Sequence, residues 1–387
     1  MTFFERAVND SKHSLTSGSI HCINDTLLEK SLFMRKKVLL FTIIAMFALT
    51  STAKTKKDGE RWIEKSWKEN AKPLVLEEIG TKDLLEFAEC CYVFDDIMVV
   101  QNYVNSGKYL LEFVDMKTMK IMRQALMVGN GPGEVINAII LNSGKYLTVD
   151  DFMKSRFAKI DVAGYLNDKE SVIKFKDYGF DSQRLDMWDE ERFICINPYR
   201  FINKKLKINQ DEPRFLIVEG TDDIPQKDGQ IDAMKINYGD ILINEKTGKV
   251  CFVSHEAPAV EFYDFDFNSL NTLIGPDDLT PNYSVKYNLV DYDGNFVQSY
   301  IKSCYNDTDI LLAYQGRMID PMTLLANEGN LEKAQTYIFK LDWNGNIKDS
   351  FMVRKDKKIK SMSIGPNGEL YMSCEVEGIL KLFKAKM

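Results

Sequence analysis

Histidine is scarce in this chain, with 3 among 387 residues. Little material is therefore available for His-rich metal sites or imidazole bases. No His-Glu-x-x-His run, Gly-x-Ser-x-Gly elbow, Cys-x-x-Cys pair or Gly-Lys-Ser/Thr phosphate loop occurs. The usual zincin, α/β-hydrolase, zinc-knuckle and P-loop chemistries thus have no motif to stand on. Also missing is an apolar run of the roughly 20 residues that a membrane-spanning helix needs. Positive charge is in deficit: Lys+Arg 50 against Asp+Glu 57 gives a net charge of -7. Such a chain is a poor partner for nucleic acid, whose binding depends on neutralising phosphates. Otherwise the composition is that of a globular protein, 45% hydrophobic and 28% charged, which excludes a largely disordered or collagen-like chain. The length allows two or three domains, or one large domain built from repeats.

An address signal is present. Met34 is followed by Arg35, Lys36 and Lys37, a 12-residue apolar run at 38–49, and then Thr50-Ser51-Thr52-Ala53. A basic start, a short apolar centre and a small-residue end make a secretory signal peptide over 34–53, cleaved near Ala53. A buried core helix is the competing reading; the flanking charges and the polar exit Lys54–Lys57 oppose it. Residues 1–33 are polar and aperiodic and read as an upstream extension or disordered lead, with Met34 rivalling Met1 as the start. Cleavage would leave an exported, periplasmic or extracellular chain of 334 residues, net charge -9, with His255 as its one histidine. Its cysteines are Cys90, Cys91, Cys195, Cys251, Cys304 and Cys374. An oxidising compartment permits disulfides, but the spacing gives no framework. Cys195, Cys251 and Cys374 lie in apolar strand-like runs, where a buried free thiol is expected. No cysteine follows the apolar run closely enough to carry a lipid, and the mature chain holds no transmembrane span.

Residues 54–71 read as a polar linker or short helix. From residue 72 to 387, runs of 4–8 residues rich in Val, Ile, Phe and Tyr alternate with turn signals, as in a sandwich, barrel or propeller. Asn-Ser-Gly-Lys-Tyr-Leu occurs at 105–110 and 142–147, and Asp-x-[Asp/Asn]-Gly-Asn-apolar at 291–296 and 342–347. Both are tight-turn chemistry. The first pair differs in position within its repeats, so it marks shared turns and not a strict period.

Four-stranded antiparallel units can be phased along the chain. The first takes Leu84–Glu89, Ile97–Asn102, Tyr109–Val114 and Met119–Leu126. The second takes Ile136–Leu141, Lys145–Val149, Phe157–Val162 and Ser171–Phe175. A third is blurred between Leu185 and Val218. The fourth begins within Ile231–Ile243, the fifth at Val297, and the sixth at Ile359, ending one strand short. Pro73–Ile79 is left over at the other terminus and would supply the missing strand, leaving no bare sheet edge. The expectation is an all-β, six-bladed β-propeller; seven blades also fit the length, and a β-sandwich is the alternative architecture.

Gly129-Asn130-Gly131-Pro132-Gly133-Glu134 follows the first unit's outer strand. Together with the segment from Tyr337 to Asn346 and Gly275-Pro276 before Pro281-x-Tyr283, it resembles bacterial exported six-bladed propellers of the TolB-like, NHL-like kind. The resemblance covers roughly Pro73 to the C-terminus. It implies a fold and not a reaction. Val135 stands where that family usually has an aromatic residue. A dinucleotide fingerprint would need Gly at Glu134 and a following amphipathic helix, and neither is present. The loop reads instead as a tight connection between blades, with Glu134 accepting backbone N–H bonds.

Asp264-x-Asp266-x-Asn268 begins like a calcium loop, but Ser269 and Gly275 stand where Gly and Glu are required. His255-Glu256 follows a strand with nothing local to make a catalytic triad. The stronger candidate is the face carrying the loops between second and third strands and between blades, since loops on a rigid scaffold carry function. It holds Asn130, Glu134, Asp150, Asp151, Arg156, Tyr199, Arg200, His255, Glu256, Gln315, Arg317 and Glu375. Asp150-Asp151 with Arg156 is the expected nucleus. The functional expectation is a monomeric, non-catalytic scaffold binding a polar small molecule, glycan or protein, with no cofactor. The alternative is a hydrolase or lactonase-like propeller using channel carboxylates and a divalent cation such as calcium.

Overall fold

The computed structural model describes residues 60–107, 109–131, 133–180, 184–201, 213–219, 230–322 and 334–387. The expected lead (1–33) and signal peptide (34–53) lie outside the described residues. Six small, mainly antiparallel sheets form a ring, a six-bladed β-propeller. Blade 1 comprises Ala88–Phe94, Ile97–Asn102, Tyr109–Asp115 and Lys120–Met127, from the inside outwards. Blade 2 comprises Ile139–Ser143, Tyr146–Asp151, Arg156–Asp161 and Lys176–Asp177. Blade 3 shows three strands, Leu185–Met187, Arg192–Ile196 and Phe215–Glu219. Blade 4 comprises Gly239–Asn244, Lys249–Ser254, Ala259–Asp264 and Ser269–Ile274. Blade 5 comprises Phe296–Tyr305, Asp309–Ile319, Thr336–Asp342 and Ile347–Val353.

Blade 6 is Lys358–Ile364, Leu370–Val376 and Ile379–Ala385, and its fourth strand is the N-terminal Glu77–Ile79. Ile79, Glu78 and Glu77 pair antiparallel with Leu382, Phe383 and Lys384, so both ends of the chain meet in one sheet. Two further N-terminal strands were not expected. Glu60–Trp62 and Lys72–Pro73 add in parallel to the outer strands of blades 4 and 5. Between them lies a single helical turn, Ser66–Glu69.

Each pair of neighbouring blades encloses one apolar wedge. Leu111, Phe113, Leu147 and Ile160 fill the space between blades 1 and 2. Phe157, Phe193 and Cys195 fill the next, and Ile194, Ile241 and Phe252 the one after. Phe262, Tyr300, Tyr314 and Phe339 pack between blades 4 and 5, and Leu311, Met362 and Met372 between blades 5 and 6. Val93, Met98, Tyr371 and Leu382 close the ring between blades 6 and 1. Second strands are therefore covered on both faces, and Met98 to Asn102 are all buried. Outer strands show only one covered stretch; Lys120, Ile121 and Met122 are exposed. The six described cysteines are buried in these wedges, in line with the apolar-run reading of Cys195, Cys251 and Cys374.

Several strand limits differ from expectation. Leu84 and Leu85 sit in a short 3-10 turn, and blade 1 begins at Ala88. In blade 2 the helix Val162–Asn167 replaces a direct return, capped by the Asp161 carboxylate. Arg123 of blade 1 donates to the carbonyls of Tyr165 (2.6 Å), Asp168 (3.0 Å) and Ser171 and stacks on the Tyr165 ring. This clamp holds the excursion against blade 1 and leaves two residues for the outer strand. The turn at 105–110 joins second to third strand, whereas that at 142–147 joins first to second. The motif at 342–347 makes a hairpin, but its counterpart at 291–296 leads from an accessory hairpin into blade 5.

That accessory hairpin, Tyr283–Lys286 with Leu289–Tyr292, packs Tyr283 and Val290 against Phe201, Ala233 and Ile236. It forms a small cap over the loop side of blades 3 and 4. Among the described residues no helix is long and apolar enough to cross a membrane.

Removing everything before residue 80 should expose the edge of blade 6 and strip away the buried Ile63 and Leu74. We expect a thermal midpoint lower by roughly 10 °C or more and concentration-dependent association through the bared edge. Calorimetry and size-exclusion chromatography would read both, and an unchanged midpoint with a monodisperse monomer would contradict the closing role.

Candidate functional site

The two ends of the ring are built differently. Turns between first and second strands emerge at one mouth. Second-to-third connections and inter-blade loops emerge at the other. All twelve residues singled out above belong to this second mouth or its approaches, but they play unequal parts.

Glu134 folds back so that its Oε2 accepts the Gly131 N–H at 2.7 Å. A Cβ at Gly129 would overlap that carboxylate, and one at Gly131 would lie 2.9 Å from it. Lys154 Nζ reaches the carbonyls of Gly129 (3.3 Å), Gly131 (3.3 Å) and Glu134 (2.7 Å), and Arg156 also donates to the Glu134 carbonyl. Arg156 in turn holds the buried Asp151 through a 2.9 Å hydrogen bond and lies over the Phe175 ring. These charges lock the glycine-rich loop onto blade 2. Asn130 stands exposed at the loop's tip.

Asp150 faces elsewhere. The Tyr178 hydroxyl donates to its Oδ1 at 2.7 Å. Burial raises its pKa, and the Tyr178 bond and the charge of Arg184 pull against that rise. The expected nucleus is thus divided: Asp151 and Arg156 brace a loop, and Asp150 belongs to the field of Arg184.

Tyr199 and Arg200 are buried. Arg200 meets Tyr263 Oη at 3.0 Å and Glu261 at 3.4 Å, and Glu261 also holds the fully buried Arg214 at 2.5 Å. This is an internal brace between blades 3 and 4. Gln315 donates to Thr336 Oγ1 at 3.0 Å, and Arg317 to Gln298 Oε1 at 2.9 Å. Glu375 sits 3.5 Å from Lys358 and 3.7 Å from Lys360.

The densest group surrounds Asp240, which the sequence reading did not single out. Asp240 opens the inner strand of blade 4, is 8% exposed, and is reached from three blades. His255 Nε2 lies 3.3 Å from its Oδ2, Arg184 Nη2 3.3 Å from its Oδ1, and Ser303 Oγ donates to Oδ2 at 2.6 Å. Burial opposes its ionisation, but the charges of His255 and Arg184 and the bonds from His255 and Ser303 outweigh burial and hold its pKa well below the usual carboxylate range. The His255 ring meets Tyr238 edge-on at 4.9 Å. Backbone bonds fix the imidazole's loop: His255 N–H donates to the Tyr238 carbonyl (2.9 Å), and Ser299 N–H to the His255 carbonyl (2.8 Å). Gly239 permits this approach, since a Cβ there would overlap the Val253 carbonyl and lie 2.5 Å from the Phe252 ring. Gly239-Asp240 at the head of an apolar run was the available signal: a small residue and a lone acid entering the core.

Glu256 is the adjustable member. Burial raises its pKa from 4.5 to about 7, partly opposed by a hydrogen bond to Tyr292 of the cap hairpin. Perturbed carboxyls of this kind gather at functional sites.

Among the described residues no group of three or more His, Cys, Asp or Glu side chains is arranged to hold a metal. The calcium-like segment is a self-satisfied turn. Asp264 Oδ1 accepts the N–H groups of Asp266 and Asn268, and Oδ2 accepts from the Asn268 side chain. Asp342 does the same with Asn344 and Asn346.

The opposite mouth holds a cavity of about 910 Å³ among the first turns of blades 1, 2, 4, 5 and 6, with Asp95, Tyr146, Glu245 and Asp307 in its lining. Two lysine–acid pairs cross between its turns, Lys246 with Asp307 at 3.1 Å and Lys145 with Glu245 at 3.8 Å. Exposed pairs of this kind contribute little.

No family model matches the chain, and no curated protein matches it. Solved structures do. A member of the DUF4221 family from Bacteroides vulgatus aligns with a TM-score of 0.47 at 11% identity, over 81% of this chain and 96% of its own. A candidate exported protein from Bacteroides fragilis gives 0.43 at 11%, over 85% and 99%. A streptogramin B lyase gives 0.36 at 11%, over 84% and 99%.

The Glu256 shift fixes a pH dependence. Between about 4.5 and about 7 the unfolded chain releases this proton and the folded chain keeps it. Folding stability attributable to Glu256 is therefore full below 4.5 and falls as pH rises to 7, by up to about 3 kcal/mol. Glu256→Gln should remove that slope and be the more stable form at pH 8. Urea titrations of both proteins from pH 4 to 8 would check it; a pH-independent difference between them would contradict it.

Proposed function

We propose that the chain is an exported, non-catalytic propeller that binds a polar ligand at the mouth built from second-to-third connections. The observation that carries this reading is the convergence of Asp240, His255, Arg184 and Ser303 from three blades, with Glu256 and Tyr238 beside them. A rigid ring that points donors, acceptors and an aromatic edge at one place suits a small hydroxylated molecule. The cap hairpin narrows the approach and supplies Tyr292. Export is supported by the signal-like segment at 34–53, and kinship with TolB-like or NHL-like propellers by the glycine-rich loop braced by Glu134.

The cation-dependent hydrolase reading asks several carboxylates to share one point. Here Asp150 is bonded to Tyr178, Asp151 to Arg156, and Asp240 to cations and Ser303. Their arrangement favours binding.

A thermal-shift and calorimetric panel of neutral mono- and disaccharides, sugar acids and amino acids tests the reading. A compound that stabilises the wild type should bind roughly tenfold or more weakly to Asp240→Asn and His255→Gln, since each leaves a buried partner unmatched. Affinity untouched by both, but lost on replacing Lys246 at the opposite mouth, would move the site to the other end of the ring.

A further inference from the structure

The N-terminal segment from Arg61 to Pro73 crosses the rims of blades 4 and 5, and charge holds it there more than apolar burial does. Ile63 is its one buried residue, and the helical turn Ser66–Glu69 buries none. Fringe elements of this kind open locally at low cost. Three of its cations are seated. Arg61 donates to Asn271 Oδ1 (3.3 Å) and to the carbonyls of Asn344 (3.2 Å) and Gly345 (2.9 Å). Lys72 meets Asp349 at 2.6 Å. Lys68, between them in sequence, enters a pocket of a different make.

Lys68 Nζ lies 2.6 Å from Asp277 Oδ2, 5.7 Å from the centre of the Tyr314 ring and 5.3 Å from that of Tyr337. Tyr314 and Tyr337 are paired directly on the second and third strands of blade 5, so their side chains leave the same face of the sheet. The Tyr314 hydroxyl donates to the same Asp277 oxygen at 2.9 Å. Burial, and after it Tyr300 and Asp277, raises the Tyr314 pKa above the usual tyrosine range, so this hydroxyl stays a donor. Asp277 itself comes from the connection that follows the outer strand of blade 4. The pocket is thus a carboxylate beside two rings, assembled across a blade boundary. Gly316 keeps it clear, since a Cβ there would overlap both the Tyr314 hydroxyl and the Asp277 carboxylate. Water reaches both charged partners; the Lys68 side chain is 22% exposed and that of Asp277 24%.

This chemistry selects a ligand. A carboxylate and two aromatic rings together favour a cation. The 2.6 Å contact needs an N–H donor, which a quaternary ammonium lacks. The straight four-carbon stem of Lys68 shows that an unbranched alkyl chain fits. Arg61 and Lys72 hold the segment on either side, so the Lys68 side chain can leave while the segment stays.

We propose that Asp277, Tyr314 and Tyr337 form a receptor for a small primary alkylammonium ion, which Lys68 fills as a tethered competitor. The inference does not depend on the reading of the Asp240 group.

Thermal-shift and calorimetric measurements on Lys68→Ala would use n-butylammonium, with tetramethylammonium, sodium and n-butanol as controls. At saturation n-butylammonium should raise the thermal midpoint of Lys68→Ala by roughly 2 °C or more, and no control should match it. Adding Asp277→Asn should abolish the rise. The wild type, whose pocket is filled in cis, should need roughly tenfold or more of the amine for the same response. A rise that the controls reproduce, that survives Asp277→Asn, or that the wild type shows at equal concentration would overturn the inference, as would no rise at all. Where Lys68→Ala folds poorly, NMR of the wild type decides. The Lys68 ε-methylene protons lie near two rings, and their ring-current shift should shrink in roughly 100 mM n-butylammonium, well above the millimolar effective concentration of a short tether. A resonance that does not move, or that moves equally in sodium, would overturn the competitor role.

Discussion

The pairing of Glu77–Ile79 with Leu382–Lys384 is the contact on which the rest of the ring depends. A blade is a small twisted sheet that cannot bury its faces alone. Six blades in a row would fill five wedges and leave two apolar faces in water. Joining the two chain ends into blade 6 creates the sixth wedge, where Val93 and Met98 meet Tyr371 and Leu382. Links between neighbouring blades then follow around the ring: the Tyr92 hydroxyl to the Ile140 carbonyl, Lys159 to Asp186, Arg184 to Asp240, Ser303 to Asp240, and Ser361 to Cys91. Of these, the Ser361–Cys91 link, between blades 6 and 1, exists only because the ring closes.

This constraint also explains what could be read from the sequence. Second strands are covered on both faces, so they appear as unbroken apolar runs such as Ile97–Val100 and Val250–Val253. Blade number, strand order and the N-terminal closing strand follow from counting those runs. Outer strands are half exposed and have no such signature; Ser171–Phe175 was expected to be one, and Lys176–Asp177 is. Blade 3 was blurred because its inner strand has three residues and a long connection separates its other two. Parallel additions such as Glu60–Trp62 depend on edges of distant blades, which no local pattern records.

The site was legible only in part, for a related reason. His255 and Glu256 were visible as a polar pair at the end of an apolar strand. Asp240, Arg184 and Ser303 each look like an isolated polar residue beside a strand, and their meaning arises in the group. The same holds in reverse for Asp151 and Arg156. Adjacent charges on a loop resemble a binding nucleus, yet their bonds turn inward, to Glu134 and to each other. Charge in a sequence marks polarity; only the direction of the side chain separates a brace from a receptor.

The two acids of the loop-bearing mouth then divide the electrostatics between them. Asp240 is deeper, yet it stays ionised because Arg184, His255 and Ser303 supply more than burial removes. Glu256 has no cation beside it among the described residues, so burial prevails and its pKa rises to about 7. A fixed anion and a carboxyl that still carries its proton in mild acid therefore share this mouth. The first only accepts hydrogen bonds, and the second donates one when protonated. Tyr292 of the cap hairpin donates its hydroxyl to the Lys235 carbonyl at 3.0 Å and also moderates the rise of the Glu256 pKa. At the opposite mouth two lysine–acid pairs, Lys246–Asp307 and Lys145–Glu245, meet at the solvent surface, where water screens what they could contribute.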